Sequence, residues 1–141
     1  MTPVRIRIRS AASGDRHLIE QEFHGMMTEK SGKHYVMYAE DQQSGLGDTK
    51  TTLKWGDGRI IIMRSGSVDC RQEFCEGQLN QCYYRTPYLK ILLTTVTHYA
   101  AAFFSGGAWH LQIDYLLYHE DEPYGKMKIF IEIEEESQVG H

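Results

Sequence analysis

Apolar and polar residues change places at every second position from Val4 almost to Glu136. No other property of the chain limits its fold so strongly, because only a β-strand sends successive side chains to opposite faces. Val4, Ile6 and Ile8, for example, interleave with Arg5, Arg7 and Arg9. The rhythm stops where Gly, Asp, Ser or Pro supply turn geometry. No segment keeps a helical period, apart from a short helical turn expected near Glu76 to Gln81.

The first strand ends at a Ser13-Gly14-Asp15 turn. A second is expected from about His17 to Lys30, and a Ser31-Gly32 hairpin leads into a third, Lys33 to Asp41. A flexible loop, Gln42 to Asp48, precedes strands over Thr49 to Trp55, Arg59 to Arg64, Ser67 to Cys75 and about Asn80 to Arg85. The run from Tyr88 to Phe104 is expected to bend near Thr94 to Thr97 and has room for two strands. Strands Trp109 to Tyr118 and Gly125 to Glu136 follow, separated by the acidic loop His119 to Pro123. Pro3, Pro87 and Pro123 all fall where strands begin or end, where a missing N–H harms a ladder least. Hairpin-linked strands of this length predict an all-β fold, an up-and-down closed barrel of about 8–10 antiparallel strands, which removes exposed edges. The 141 residues read as one domain, 1–141.

The net charge of −4 argues against a nucleic-acid partner, which needs a positive field to release counterions. The Arg5, Arg7, Arg9 stripe reads instead as charge guarding an edge-like strand. No stretch approaches the roughly 20 apolar residues of a membrane helix, so no membrane partner is expected. Three cysteines, Cys70, Cys75 and Cys82, cannot all pair within the chain, and no apolar leader precedes them. The expectation is a reduced, cytoplasmic protein whose thiols act as small hydrophobes.

Several segments have a familiar spacing. They are Thr51-Thr52-Leu53-Lys54, Ile62-Met63-Arg64-Ser65-Gly66, Phe74 with Gly77, and Tyr84-Arg85-Thr86-Pro87-Tyr88. With Tyr35, Tyr38, Glu40 and Gly45 upstream, and Thr94 and Leu111-Gln112-Ile113-Asp114-Tyr115 downstream, they resemble the YwiB-like bacterial family, a domain of unknown function. The resemblance implies a calycin-like barrel, similar to lipocalins and streptavidin, and no activity, substrate or catalytic residue. One departure, Leu89 where the family often has glycine, bears on the local bend and not on the fold.

Arg64 is the residue of most interest. It shares strand parity with Ile60 and Ile62, so it points inward near the rim just before the Ser65-Gly66 turn. A cation there needs a carboxylate or a bound anion, because an unpaired buried charge is costly. Glu40, in phase with Tyr38, is the candidate partner, either as an ion pair that fixes register or as part of a clamp using the planar fork of Arg. Nine tyrosines include Tyr38, Tyr84 and Tyr115 as candidates to line a pocket. No metal is expected: of the seven histidines only His98 and His110 look able to approach, and zinc wants three or four ligands. No cofactor is implied, since Gly45-Leu46-Gly47-Asp48 lacks the rest of a phosphate loop. No nucleophile, base and orienter can be named together, which argues against an enzyme. Two functions remain: a barrel that holds a small, partly apolar or anionic ligand, and a filled barrel that self-associates or binds a partner through its outer surface.

Overall fold

In the computed structural model, residues 1–13, 18–40 and 46–136 are described. Ten strands run in chain order: β1 Thr2–Ala12, β2 Ile19–Lys30, β3 Lys33–Ala39, β4 Thr49–Gly56, β5 Arg59–Gly66, β6 Cys70–Cys75, β7 Leu79–Arg85, β8 Lys90–Ser105, β9 Ala108–His119 and β10 Glu122–Glu135. They form one antiparallel sheet in the order β6-β5-β4-β3-β2-β1-β10-β9-β8-β7. Every neighbour in space is a neighbour in sequence except β1 and β10, whose ladder from Val4–Glu135 to Ala12–Met127 joins the two ends of the chain. The result is an up-and-down, nearly closed β-barrel.

The side-chain rhythm explains the curl. Val4 and Ile6, Val36 and Tyr38, Leu53 and Trp55, Ile60 and Ile62, Leu111 and Ile113, and Ile131 and Ile133 are all buried and face one core. A sheet greasy on one face hides that face by wrapping round it. One end of the interior is filled by aromatics: His34 stacks on Trp55 at 5.3 Å, and Trp109 meets them at 4.5 and 5.6 Å.

Three expectations change, and one open reading is decided. Glu76 to Gln81 is not a helical turn: Gly77 takes φ 79°, Gln78 N–H donates to Cys75 C=O at 3.0 Å, and β7 begins at Leu79. The Tyr88–Phe104 run gives one strand, β8, with a bulge at His98 between the Thr97–Tyr115 and Tyr99–Asp114 pairs. That extra residue moves the inward set from Leu93, Thr95 and Thr97 to Ala100 and Ala102. The acidic loop shrinks to a turn at Glu120 and Asp121, with β10 already paired at Glu122. And β1 is no edge: it lies between β2 and β10, where Glu22 and Glu132 meet Arg7 at 3.2 and 3.6 Å and Glu134 meets Arg5. Gly14, Asp15 and His17, and Asp41 to Gly45, which the second and third strands and the loop involved, lie outside the described residues.

Candidate functional site

The end of the barrel away from the tryptophans carries the charged site. β3, β4, β5 and β6 align Tyr38 with Thr51, Thr51 with Arg64, and Arg64 with Cys70. One row of Cα partners therefore crosses four strands with every side chain on the inward face. Glu40 follows the end of β3 and is held by its own N–H, which donates to Thr49 C=O at 2.8 Å. The turn after β5 is fixed by close approach. A Cβ on Gly66 (φ 133°) would fall 2.1 Å from Asp48 O, so only glycine fits there.

These restraints converge on Glu40. Thr51 Oγ1 donates to Glu40 Oε1 at 2.6 Å, and the Tyr38 hydroxyl bonds to both groups. The Glu40 side chain is 4 % exposed and that of Arg64 22 %, with Arg64 Nε 4.0 Å from Glu40 Oε1. This separation is an ion pair but too long for a hydrogen bond. Among the described residues Arg64 Nε has no hydrogen-bond partner, and Nη1 has only the Cys70 sulfur at 3.9 Å. Five donors on a guanidinium are thus barely used.

Burial pushes the Tyr38 phenol well above its usual range, the Glu40 carboxylate adds to that, and Arg64 opposes it. Burial alone would lower the Arg64 pKa, but Cys70, Tyr38 and Glu40 together turn the shift upward, so the group stays charged. Tyr115 is pushed up to about 12 by burial, against the pull of Arg64.

Beside this network lies a cavity of about 160 Å³, walled by Ile8, Leu53, Ile62 and Ile129 with Tyr38, Glu40 and Arg64 on its polar side. Of the five residues singled out in the sequence, Tyr38, Glu40 and Arg64 come together here. Tyr115 lies deeper, with its ring 4.8 Å from Phe74 and within electrostatic reach of Arg64. Tyr84 packs against the core but does not line this cavity. Sequence reasoning missed Thr51, although its phase with Thr49 and Leu53 marked it as an inward hydroxyl. It also missed Cys70, whose contact with Arg64 depends on a register the sequence does not print.

Among the described residues no group of three or more His, Cys, Asp or Glu could hold a metal. His98 stands in the bulge opposite Asp114 and Tyr115, while His110 stacks on Phe103 at 5.2 Å farther along β9, so the two do not approach. No helix is long and apolar enough to cross a membrane.

Known proteins share this architecture. Residues 4–131 match the family described as Domain of unknown function (DUF1934). The chain is 31% identical over 98 residues to the uncharacterized beta-barrel protein YwiB of Bacillus subtilis (strain 168), covering 68% of each chain. Its fold superposes on the crystal structure of the ywiB protein from Bacillus subtilis with a TM-score of 0.83 and 25% sequence identity, covering 96% of this chain and 93% of that one. This ten-stranded meander, whose first and last strands pair and whose residues 4–131 match, belongs to the DUF1934 family.

Proposed function

We propose that this β-barrel binds a small, partly apolar ligand through an anionic or carbonyl group at the Arg64 mouth. The observation that carries the reading is a partly enclosed guanidinium with donors to spare on the wall of an apolar cavity. Glu40 keeps the site neutral when empty, and Thr51 and Tyr38 hold the carboxylate back from the ligand. The size limits the ligand: a cavity of about 150 Å³ accepts benzene, and this one is about 160 Å³. That is below the usual range for drug-sized pockets, roughly 300–1,000 Å³. A calycin-like mode of binding at the barrel mouth and a reducing, cytoplasmic setting suit this reading and the three free thiols.

Isothermal calorimetry with benzoate tests it. Benzoate should bind saturably, and Arg64→Met should weaken it by roughly tenfold or more, the worth of a hydrogen bond to a charged group. Benzylamine, equal in size but cationic, should not bind. Equal affinity for both probes would refute the reading.

A second reading has one observation in its favour. The outer wall exposes Phe103 and Phe130 beside a groove of about 670 Å³ that also presents Arg9, Glu20 and Gln112. A module that self-associates through this face would sediment as a dimer, and Phe130→Ser would return it to a monomer.

A further inference from the structure

β8 runs from Lys90 to Ser105, but β7 covers only the first half of one of its edges. That ladder ends at the Leu79–Val96 pair, followed by Thr97 N–H to Gln78 C=O at 3.0 Å and Gly77 N–H to Thr97 C=O at 2.8 Å. The other edge is held by β9 as far as Ser105–Ala108. Gly106 and Gly107 between those two take φ 62° and 81°, the geometry of a tight hairpin turn, which makes Ser105 and Ala108 a hydrogen-bonded pair. By alternation, Ala101 and Phe103 also bond to β9. Ala100, Ala102 and Phe104 therefore turn their N–H and C=O groups the other way, where no strand among the described residues pairs with them. Edges of this kind are usually guarded by charge or proline. The segment Tyr99 to Ser105 carries neither.

Across from this edge stands the β4–β5 hairpin, and between the two lies a cavity of about 340 Å³. Gly56 and Gly58 on one side and Ala100 to Ala102 on the other leave room for a further backbone, while His34, Trp55 and Trp109 supply an aromatic wall. Trp55 is 2% exposed, yet its indole N–H has no hydrogen-bond partner among the described residues. A buried donor is rarely left so, and this one borders a cavity that can hold an acceptor. The charges at the hairpin are already matched: Lys33 Nζ lies 3.7 Å from Asp57, and Arg59 Nη1 lies 2.8 Å from Glu73. An occupant thus needs no charge of its own. A second barrel suits the slot poorly, because its β8 edge would stand behind its own hairpin. A single extended segment supplies the alternating N–H and C=O that Ala100 and Ala102 lack, and a side chain for the aromatic wall.

We propose that the unpaired edge of β8 takes an extended, uncharged peptide segment of a partner protein as an added strand, with an aromatic side chain packed against His34, Trp55 and Trp109. The slot lies at the opposite end of the barrel from the Arg64 mouth and works independently of it.

Trp55 and Trp109 are the chain's two tryptophans, so intrinsic fluorescence reports this slot directly. The probe is the capped peptide acetyl-Thr-Phe-Thr-amide, titrated into the full chain. It should change the tryptophan emission saturably, and benzoate should not compete with it. The same peptide with an N-methyl group on Phe keeps the side chains and loses one backbone donor; it should bind roughly tenfold more weakly or worse. Ala102→Pro removes an N–H that no ladder uses, so the barrel should stay folded by circular dichroism and lose the peptide. If that variant does not fold, the N-methyl comparison on the wild type decides alone. An emission that never saturates, equal affinity for the two peptides, or a folded Ala102→Pro chain that binds like the wild type would overturn the proposal. So would a peptide-free dimer in sedimentation that Ala102→Pro turns into a monomer, which would make a second copy the occupant of the edge.

Discussion

Replacing Arg64 by methionine keeps most of the side chain's volume and removes its charge. The cost follows from the geometry. Two unit charges 4.0 Å apart attract by about 4 kcal/mol at an effective dielectric of about 20 and by about 1 kcal/mol in water. Glu40 is almost wholly enclosed and Arg64 only partly so, which sets the pair between those limits. Losing one partner of a fully buried pair costs about 3–5 kcal/mol. With the exposure of Arg64 discounted, Arg64→Met should cost about 2–3 kcal/mol. Glu40→Gln in the same background should return part of that, because it removes the charge left without a partner. Urea denaturation of the wild type, both single variants and the double variant gives the coupling energy, expected at about 1–3 kcal/mol. The coupling should survive high salt, since an enclosed pair is screened far less than an exposed one. Arg64→Met within about 0.5 kcal/mol of wild type, or additivity within that margin, would refute the argument that this pair is buried and mutually dependent.

Other outcomes follow from single contacts. Thr51→Val removes a fully buried hydroxyl from the Glu40 carboxylate and should cost about 1–3 kcal/mol in the same denaturation assay. Phe74→Ala empties a site that is 0% exposed and should cost about 3–5 kcal/mol; a loss below about 1 kcal/mol would mean the barrel collapses freely around β6. Gly66→Ala forces a Cβ onto the Asp48 carbonyl and should lower the thermal midpoint, whereas Gly58→Asn, at a φ of 74° with open space around it, should not. In alkali, Tyr115 should ionise only at about 12, seen as a late step in ultraviolet absorbance that lies above the ordinary phenol range. A phenol whose pKa is raised by folding holds its proton longer in the native state. Stability from Tyr115 is therefore intact below about 10 and falls as the pH climbs towards about 12.

The sequence disclosed the fold to an unusual depth for a physical reason. A period of two residues has one structural meaning, and Gly, Asp, Ser or Pro marked most of the breaks between strands. Parity alone put Ile60, Ile62 and Arg64 on one face, and the structure keeps them there. What stayed hidden depends on register and on pairing between distant strands. The Arg64–Cys70 contact exists because β5 and β6 align those two residues, and a one-residue slip would send one of them outward. The bulge at His98 could not be placed because Thr94 to Tyr99 is uniformly strand-like, and only the inward demand for Ala100 and Ala102 fixes the extra residue. Gly77 misled for a similar reason: a polar turn around one glycine fits a short helix and a tight turn between two strands equally well. Tyr84 looked like a pocket residue on composition, but its level in the barrel follows from the β7–β8 register, which puts it opposite Ile91 and outside the cavity lining.

Native mass spectrometry of protein purified from its own host asks most directly whether the Arg64 mouth holds a ligand. The wild-type chain should carry a small bound mass that survives gentle ionisation, and Arg64→Met prepared in the same way should lose it. Bare chain alone in both samples, from protein that is folded by circular dichroism, would contradict the ligand reading and leave the outer wall as the working surface.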